Sequence, residues 1–226
     1  MQRRRVEKRA AALTKRYSSV TITTESPFYP TIQNDTCILT PEITTGPYIW
    51  TKSQTLRQDM TEGQAGIPLI LDVGVIDINT CEPMRNKFRY STPMTPPSSG
   101  ECGLPTANGV MEMKTIVPGF YVDRTVHQNW VLKPNGTILT DTTANTGQFF
   151  IADDITEYLM SLEPYASHVE IERTTNAVDS IYSSEAVNGW SPELAVIPMD
   201  GEDYANGIIG YITMGVDSTR WNASSF

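Results

Sequence analysis

Of the chain's 226 residues two are histidines, and one of them, His127, follows Tyr121 by six positions with Arg124 midway between. Tyr121 itself leaves a Pro118-Gly119 turn signal, in the stretch PGFYVDRTVHQN. Residues two apart on a strand share a face, so His127 and Asn129 point the same way, while the turn presents Tyr121 from the strand's entrance. One small site can gather all three. Phenolate and imidazole suit a hard, redox-active cation such as Fe(III): the charged oxygen stabilises the higher oxidation state, and imidazole adds a borderline donor. The plainer alternative is a satisfied core or surface histidine beside a turn tyrosine, and the spacing leaves both open. Arg124 would face away from His127 on an unbroken strand, so both reach one site only if the strand starts after Arg124 or bulges there.

Strands must position these groups, and the sequence supplies several. From Ile67 to Ile78, IPLILDVGVIDI is dense in β-branched residues and apolar on both parities, which predicts a central strand covered on both faces. Asn108-Gly109 is a hairpin turn signal leading into VMEMKTIV, where Val110, Glu112 and Lys114 alternate with Met111, Met113 and Thr115. Pro134-Asn135-Gly136 predicts a turn between HQNWVL and TILTDT, and Gly210 to Val216 a last strand. One helix is expected from Asp153 or Asp154, whose side chain would cap it, with Ile155, Tyr158, Leu159 and Leu162 on one face before Pro164. Segment 91–103, STPMTPPSSGECG, reads as a loop. The fold class is mainly β: a β-sandwich with one or two short surface helices.

The length allows a single globular domain with one sizeable core. No apolar run approaches a membrane span. The formal charge of −9 hides an asymmetry: Arg3, Arg4, Arg5, Lys8, Arg9, Lys15 and Arg16 are seven of the 17 basic residues, with Glu7 the one acid beside them. The remainder carries 10 basic against 25 acidic residues and repels nucleic acid. Residues 1–16 thus form a separate basic, propeptide-like segment, 17–36 a Ser/Thr-rich linker, 37–217 the domain and 218–226 a tail. Sequons at Asn34, Asn135 and Asn222, with basic pairs at Lys8-Arg9 and Lys15-Arg16, favour an exported glycoprotein, although no apolar signal core follows Met1. The bland alternative for 1–16 is an unprocessed basic amphipathic helix. Cys37, Cys81 and Cys102 allow at most one internal bridge. Cys37–Cys81 is the preferred pair because both flank the first predicted strand; three buried thiols are the alternative.

CILTPEITTGPYIW at 37–50, RQDMTEGQAGIPLILDVGVIDINTCEP at 57–83 and NGVMEMKTIVPGFYVDRTVHQNWVL at 108–132 follow in the order of the intradiol ring-cleavage dioxygenases. TGQFFIADDI and the closing NGIIGYITMGVD extend this to Asp217, and the chain resembles most the secreted branch of that family, related to the protocatechuate and catechol dioxygenase catalytic domain. The resemblance implies a β-sandwich holding mononuclear non-haem Fe(III) on two tyrosines and two histidines, which cleaves catechols between their hydroxyl-bearing carbons to muconic acids. Carried over residue by residue, Tyr121 is the tyrosine of the PGxY motif and His127 the first histidine of R-x-x-H-x-H. Arg124 is the arginine that stabilises anionic substrate, and Gln148 corresponds to the site glutamine. The second tyrosine falls on Tyr90 in the Tyr90-Ser91 pair. The implied partners are a small catechol-type substrate and dioxygen, with no nucleic acid and no membrane; a homodimer is compatible with this.

Two departures stand out. The second histidine of the motif falls on Asn129, whose neutral amide oxygen is a much weaker donor to Fe(III). Asn129, water or His168 would have to fill that position. Between Cys81 and Tyr90 the sequence is too short for the strand with a Trp-His pair that the family runs there, so a sheet ladder would be lost. Three readings follow: an iron-dependent dioxygenase of impaired activity, a non-catalytic exported scaffold or binding protein derived from that family, or an incomplete or mis-spliced gene product.

Overall fold

The computed structural model describes Phe28 and residues 37–44, 55–56, 58–84, 88–93, 99–101, 108–134 and 145–219. The basic segment, the linker apart from Phe28, Cys102, the three sequon asparagines and TILTDT lie outside the described residues.

Among the described residues ten strands and two α-helices follow in order: β1 (Thr55–Leu56), β2 (Pro68–Asp77), β3 (Glu82–Pro83), β4 (Phe88–Pro93), β5 (Ser99–Glu101), β6 (Val110–Ile116), β7 (His127–Pro134), β8 (Asn145–Phe150), α1 (Asp153–Met160), α2 (Ser180–Glu185), β9 (Ala195–Pro198) and β10 (Ile208–Val216). One sheet runs β1-β5-β4-β7-β8; the other runs β3-β2-β10-β9, with β6 also on β2. Their inner faces meet in one core, where Trp130, Leu132 and Phe149 of the first sheet pack with Leu71, Val73, Met111, Met113 and Met214 of the second. This is the expected β-sandwich. β2 is its central strand, parallel to β10 and antiparallel to β6 and β3. Val73, Val75 and both of their neighbours are buried, as a strand apolar on both parities requires.

Several expectations change. β6 spans the expected residues and buries Met111, Met113 and Thr115 while Lys114 is exposed, but it pairs with β2 and is no arm of a local hairpin. Segment 91–103, expected as a loop, instead holds the end of β4 and all of β5, both with a partner strand on each side, and its remaining residues lie outside the described ones. β4 pairs directly with β7, Phe88 opposite Pro134 and Ser91 opposite Val131, so β7 has a partner strand on each side despite the short connection after Cys81. α1 starts where expected, with Ile155 and Leu159 buried, but its N-cap is Ala152. The Asp153 carboxylate instead accepts from Asn176 N and Arg173 Nη1, tying down a distant loop.

Cys37 and Cys81 form a disulfide with Cα atoms 5.5 Å apart, joining the segment before β2 to the turn after it. That segment continues along β10, where Thr40 N donates to Gly215 O at 2.8 Å and Gly215 N to Thr40 Oγ1 at 3.0 Å. A Cβ at Gly215 would fall on the Ile38 carbonyl, which is backbone and has no rotamer to yield. Gly215→Ala is therefore expected to destabilise by about 1–3 kcal/mol, read as a lower denaturant midpoint at unchanged slope.

Candidate metal and substrate site

The site forms where β7 begins. Tyr121 to Arg124 is a tight turn closed by Arg124 N donating to Tyr121 O at 3.0 Å, with Asp123 at φ 63°, a left-handed conformation that Asp tolerates. The strand starts only at His127, so Arg124 is free of the strand's alternation and turns to the same side as Tyr121. Below the turn, the Tyr165 hydroxyl donates to Val117 O at 2.6 Å and accepts from Ile67 N at 3.0 Å, fixing the segment that enters Pro118.

His127 is 5% exposed. Its Nδ1 lies 2.7 Å from Thr125 O; a carbonyl only accepts, so Nδ1 carries the proton and Nε2 the lone pair. Burial, with the Arg124 charge adding to it and the Thr125 and Asp179 oxygens opposing, lowers its pKa to about 4. Nε2 of this neutral ring stands 3.5 Å from Tyr121 Oη, and Tyr121 is 37% exposed, so Tyr121 reaches the surface while His127 stays buried beside it.

Arg124 is the hub of the polar groups. Nη1 donates to Tyr121 Oη at 3.3 Å, Nη2 to Gln148 Oε1, and Nε to Asp179 Oδ2 at 2.7 Å. Its guanidinium also lies 5.9 Å from the Tyr121 ring centroid. Gln148, opposite Asn129 in the β7–β8 register, donates from Nε2 to Asn129 Oδ1 at 2.8 Å. Tyr121, Arg124, His127, Asn129 and Gln148 are thus brought together. Tyr90 pairs through its backbone with Leu132 in the β4–β7 ladder; its side chain lies outside the described residues. His168 is half-buried, its ring stacked 4.9 Å from Phe120 and its Nε2 4.0 Å from Glu170.

α2 supplies two residues that sequence reasoning missed. Asp179 is fully buried: Oδ1 accepts from Ile181 N and Tyr182 N as the helix N-cap, and Oδ2 accepts from Arg124 and from Thr125 N at 3.0 Å. Burial works against the carboxylate, but these hydrogen bonds and the Arg124 charge outweigh it and hold its pKa below the ordinary value. At the other end of α2, buried Glu185 accepts from Gln148 N at 2.7 Å. A Cβ at Gly147 would fall on both Glu185 Oε1 and the Trp130 ring, so only glycine lets that carboxyl reach β8. Asp179 before a helix was a readable cap signal; Glu185 carried none.

No protein-family model and no curated protein matches the chain. Solved structures do. An intradiol ring-cleavage dioxygenase from Tetranychus urticae superposes with TM-score 0.68 at 23% identity, over 80% of this chain and 95% of that one. This chain has the intradiol dioxygenase fold. The dioxygenase domain of a dioxygenase carbohydrate-binding protein fusion from Streptomyces sp. SirexAA-E gives 0.54 at 19% identity, over 80% and 99% of the two chains. A hydroxyquinol 1,2-dioxygenase from Pseudomonas putida DLL-E4 gives 0.52 at 15%, over 79% and 66%. On this fold Tyr121 Oη and His127 Nε2 fit one hard cation, being an oxygen and an unprotonated nitrogen close enough for a single ion to span. No cluster of three His, Cys, Asp or Glu occurs among the described residues, and Asn129 offers only an amide. The described donors therefore supply two of the four ligands that the sequence resemblance implies.

Proposed function

We propose that this chain is an exported, intradiol dioxygenase-like protein that holds Fe(III) through Tyr121 and His127 and cleaves small catechols oxidatively to muconic acids, at a rate lowered by Asn129. The observation that supports it best is the approach of Tyr121 Oη to His127 Nε2, 3.5 Å, beside the Arg124 guanidinium, on this fold. Bound Fe(III) would make the catechol ring electron-rich enough to react with dioxygen. The protein's own residues do the rest. His127 keeps an unprotonated Nε2 at every pH well above about 4. Partly exposed Tyr121 is open to an incoming small molecule. Arg124, its orientation fixed by Asp179 and Gln148, offers a preorganised positive charge to an anionic oxygen.

Titrating the protein with Fe(III) is expected to develop a visible tyrosinate-to-iron charge-transfer band that bleaches on anaerobic addition of catechol. Tyr121→Phe should remove the band and weaken iron at least about tenfold. A colourless ferric protein sinks the reading. A second reading, a non-catalytic binding protein on the same scaffold, is favoured by the engagement of Asn129 with Gln148. It predicts the band and catechol binding with no muconate formed.

A further inference from the structure

Arg124 fixes the orientation of two amides. A guanidinium has N–H donors and no acceptor, so the Gln148 atom that meets Arg124 Nη2 must be the carbonyl Oε1. Gln148 is then left to reach Asn129 with Nε2, which only donates, and at 2.8 Å it meets Oδ1. The acceptor of Asn129 is thereby used inside the protein. What remains is Nδ2, an N–H donor with no protein acceptor among the described residues. β7 sets Asn129 two residues beyond His127, hence on the same face of the sheet. Asn129 is also partly open to solvent, whereas His127 is buried.

The chain of donors has a chemical consequence. An amide N–H carries partial positive charge, so it repels a cation and attracts an anionic oxygen. We infer that Asn129 is not a metal ligand but a hydrogen-bond donor to an anionic oxygen, a phenolate, of a small aromatic molecule held beside His127 and Arg124. The inference rests on Tyr121 and His127 being the ligands. It makes Asn129 a residue that selects for ionised hydroxyls, at a place where a fourth protein donor would otherwise sit.

Three proteins test it: wild type, Asn129→Ala and Asn129→Asp, each titrated with Fe(III) under the visible band and under intrinsic fluorescence, with circular dichroism to verify folding. Asn129→Ala should bind iron within about twofold of wild type, because no lone pair is lost. Asn129→Asp keeps an oxygen for Gln148 Nε2 and offers a second, charged one, so iron affinity should rise at least about tenfold. Nitrocatechol binding to the iron-free protein should weaken about tenfold in Asn129→Ala, the loss of one hydrogen bond to a charged group. A tenfold loss of iron in Asn129→Ala, no gain in Asn129→Asp, or unchanged nitrocatechol affinity in Asn129→Ala each overturns the inference. Should wild type take up no iron, the proposed function fails, while the gain in Asn129→Asp and the nitrocatechol loss still decide this point.

Discussion

Asp179→Ala is expected to destabilise the protein by about 3–5 kcal/mol, the range for removing one partner of a buried ion pair. Four donors converge on the Asp179 carboxylate: two backbone N–H groups that open α2, the Thr125 N–H, and Arg124 Nε at 2.7 Å. The alanine strands all of them, and Arg124 loses the contact that fixes its direction. Asp179→Asn separates the two jobs. The amide can still cap the helix through Oδ1, but its N–H₂ would meet Arg124 Nε, donor against donor. Denaturant titration should place Asp179→Asn between wild type and alanine in stability. Nitrocatechol affinity should fall as far in the asparagine variant as in the alanine one, because Arg124 is misdirected in both. If affinity instead follows stability, Asp179 acts on the fold alone.

Glu185→Gln is expected to raise stability by about 3–5 kcal/mol near pH 8.5 and to leave it almost unchanged near pH 4.5. Glu185 is fully buried, with Oε1 on Gln148 N and no partner for Oε2 among the described residues. Burial is the main cause that lifts its pKa to about 8; the Gln148 N–H and the Arg124 charge oppose it, and the Asp179 charge adds to it. The folded carboxyl therefore holds its proton through a range where the unfolded chain has released it. Stability from Glu185 is fully present below about pH 4.5 and drains away as pH rises through about 8. His127 works in the opposite sense. Its pKa is lowered to about 4, so its contribution is present above about pH 6.5 and is lost as pH falls toward 4. Subtracting the variant's pH profile from that of wild type isolates Glu185, and parallel profiles would show that its carboxyl is hydrated or already ionised in the fold.

The strands were legible where composition left no alternative: β2 is apolar on both parities, and β6 alternates cleanly. So was the local part of the site. Tyr121, Arg124 and His127 lie within seven residues, and parity alone required a strand that begins after Arg124 or bulges there, of which the fold takes the first. Asp179 was legible only as a helix cap and Glu185 not at all, because their partners Arg124, in the turn before β7, and Gln148, on β8, are far away in sequence and nothing local in SIYSSE marks burial. The cap of α1 failed for a related reason: Asp153 was drawn to Asn176 and Arg173, a competition that a single segment does not display. The pairing of β6 with β2 was hidden because the Asn108-Gly109 turn signal is local and strand partners are not.

The parallel ladder between β2 and β10 carries a consequence for biosynthesis. Ile208 to Val216 lie along Leu69 to Asp77, so one edge of the central strand has no partner until nearly the whole domain has been made. A growing chain must keep that apolar edge from pairing with other chains throughout its synthesis. A shortened product lacking β10 would then not be a smaller version of this domain but an open sheet, held in place by Cys37 and Cys81 with its core exposed.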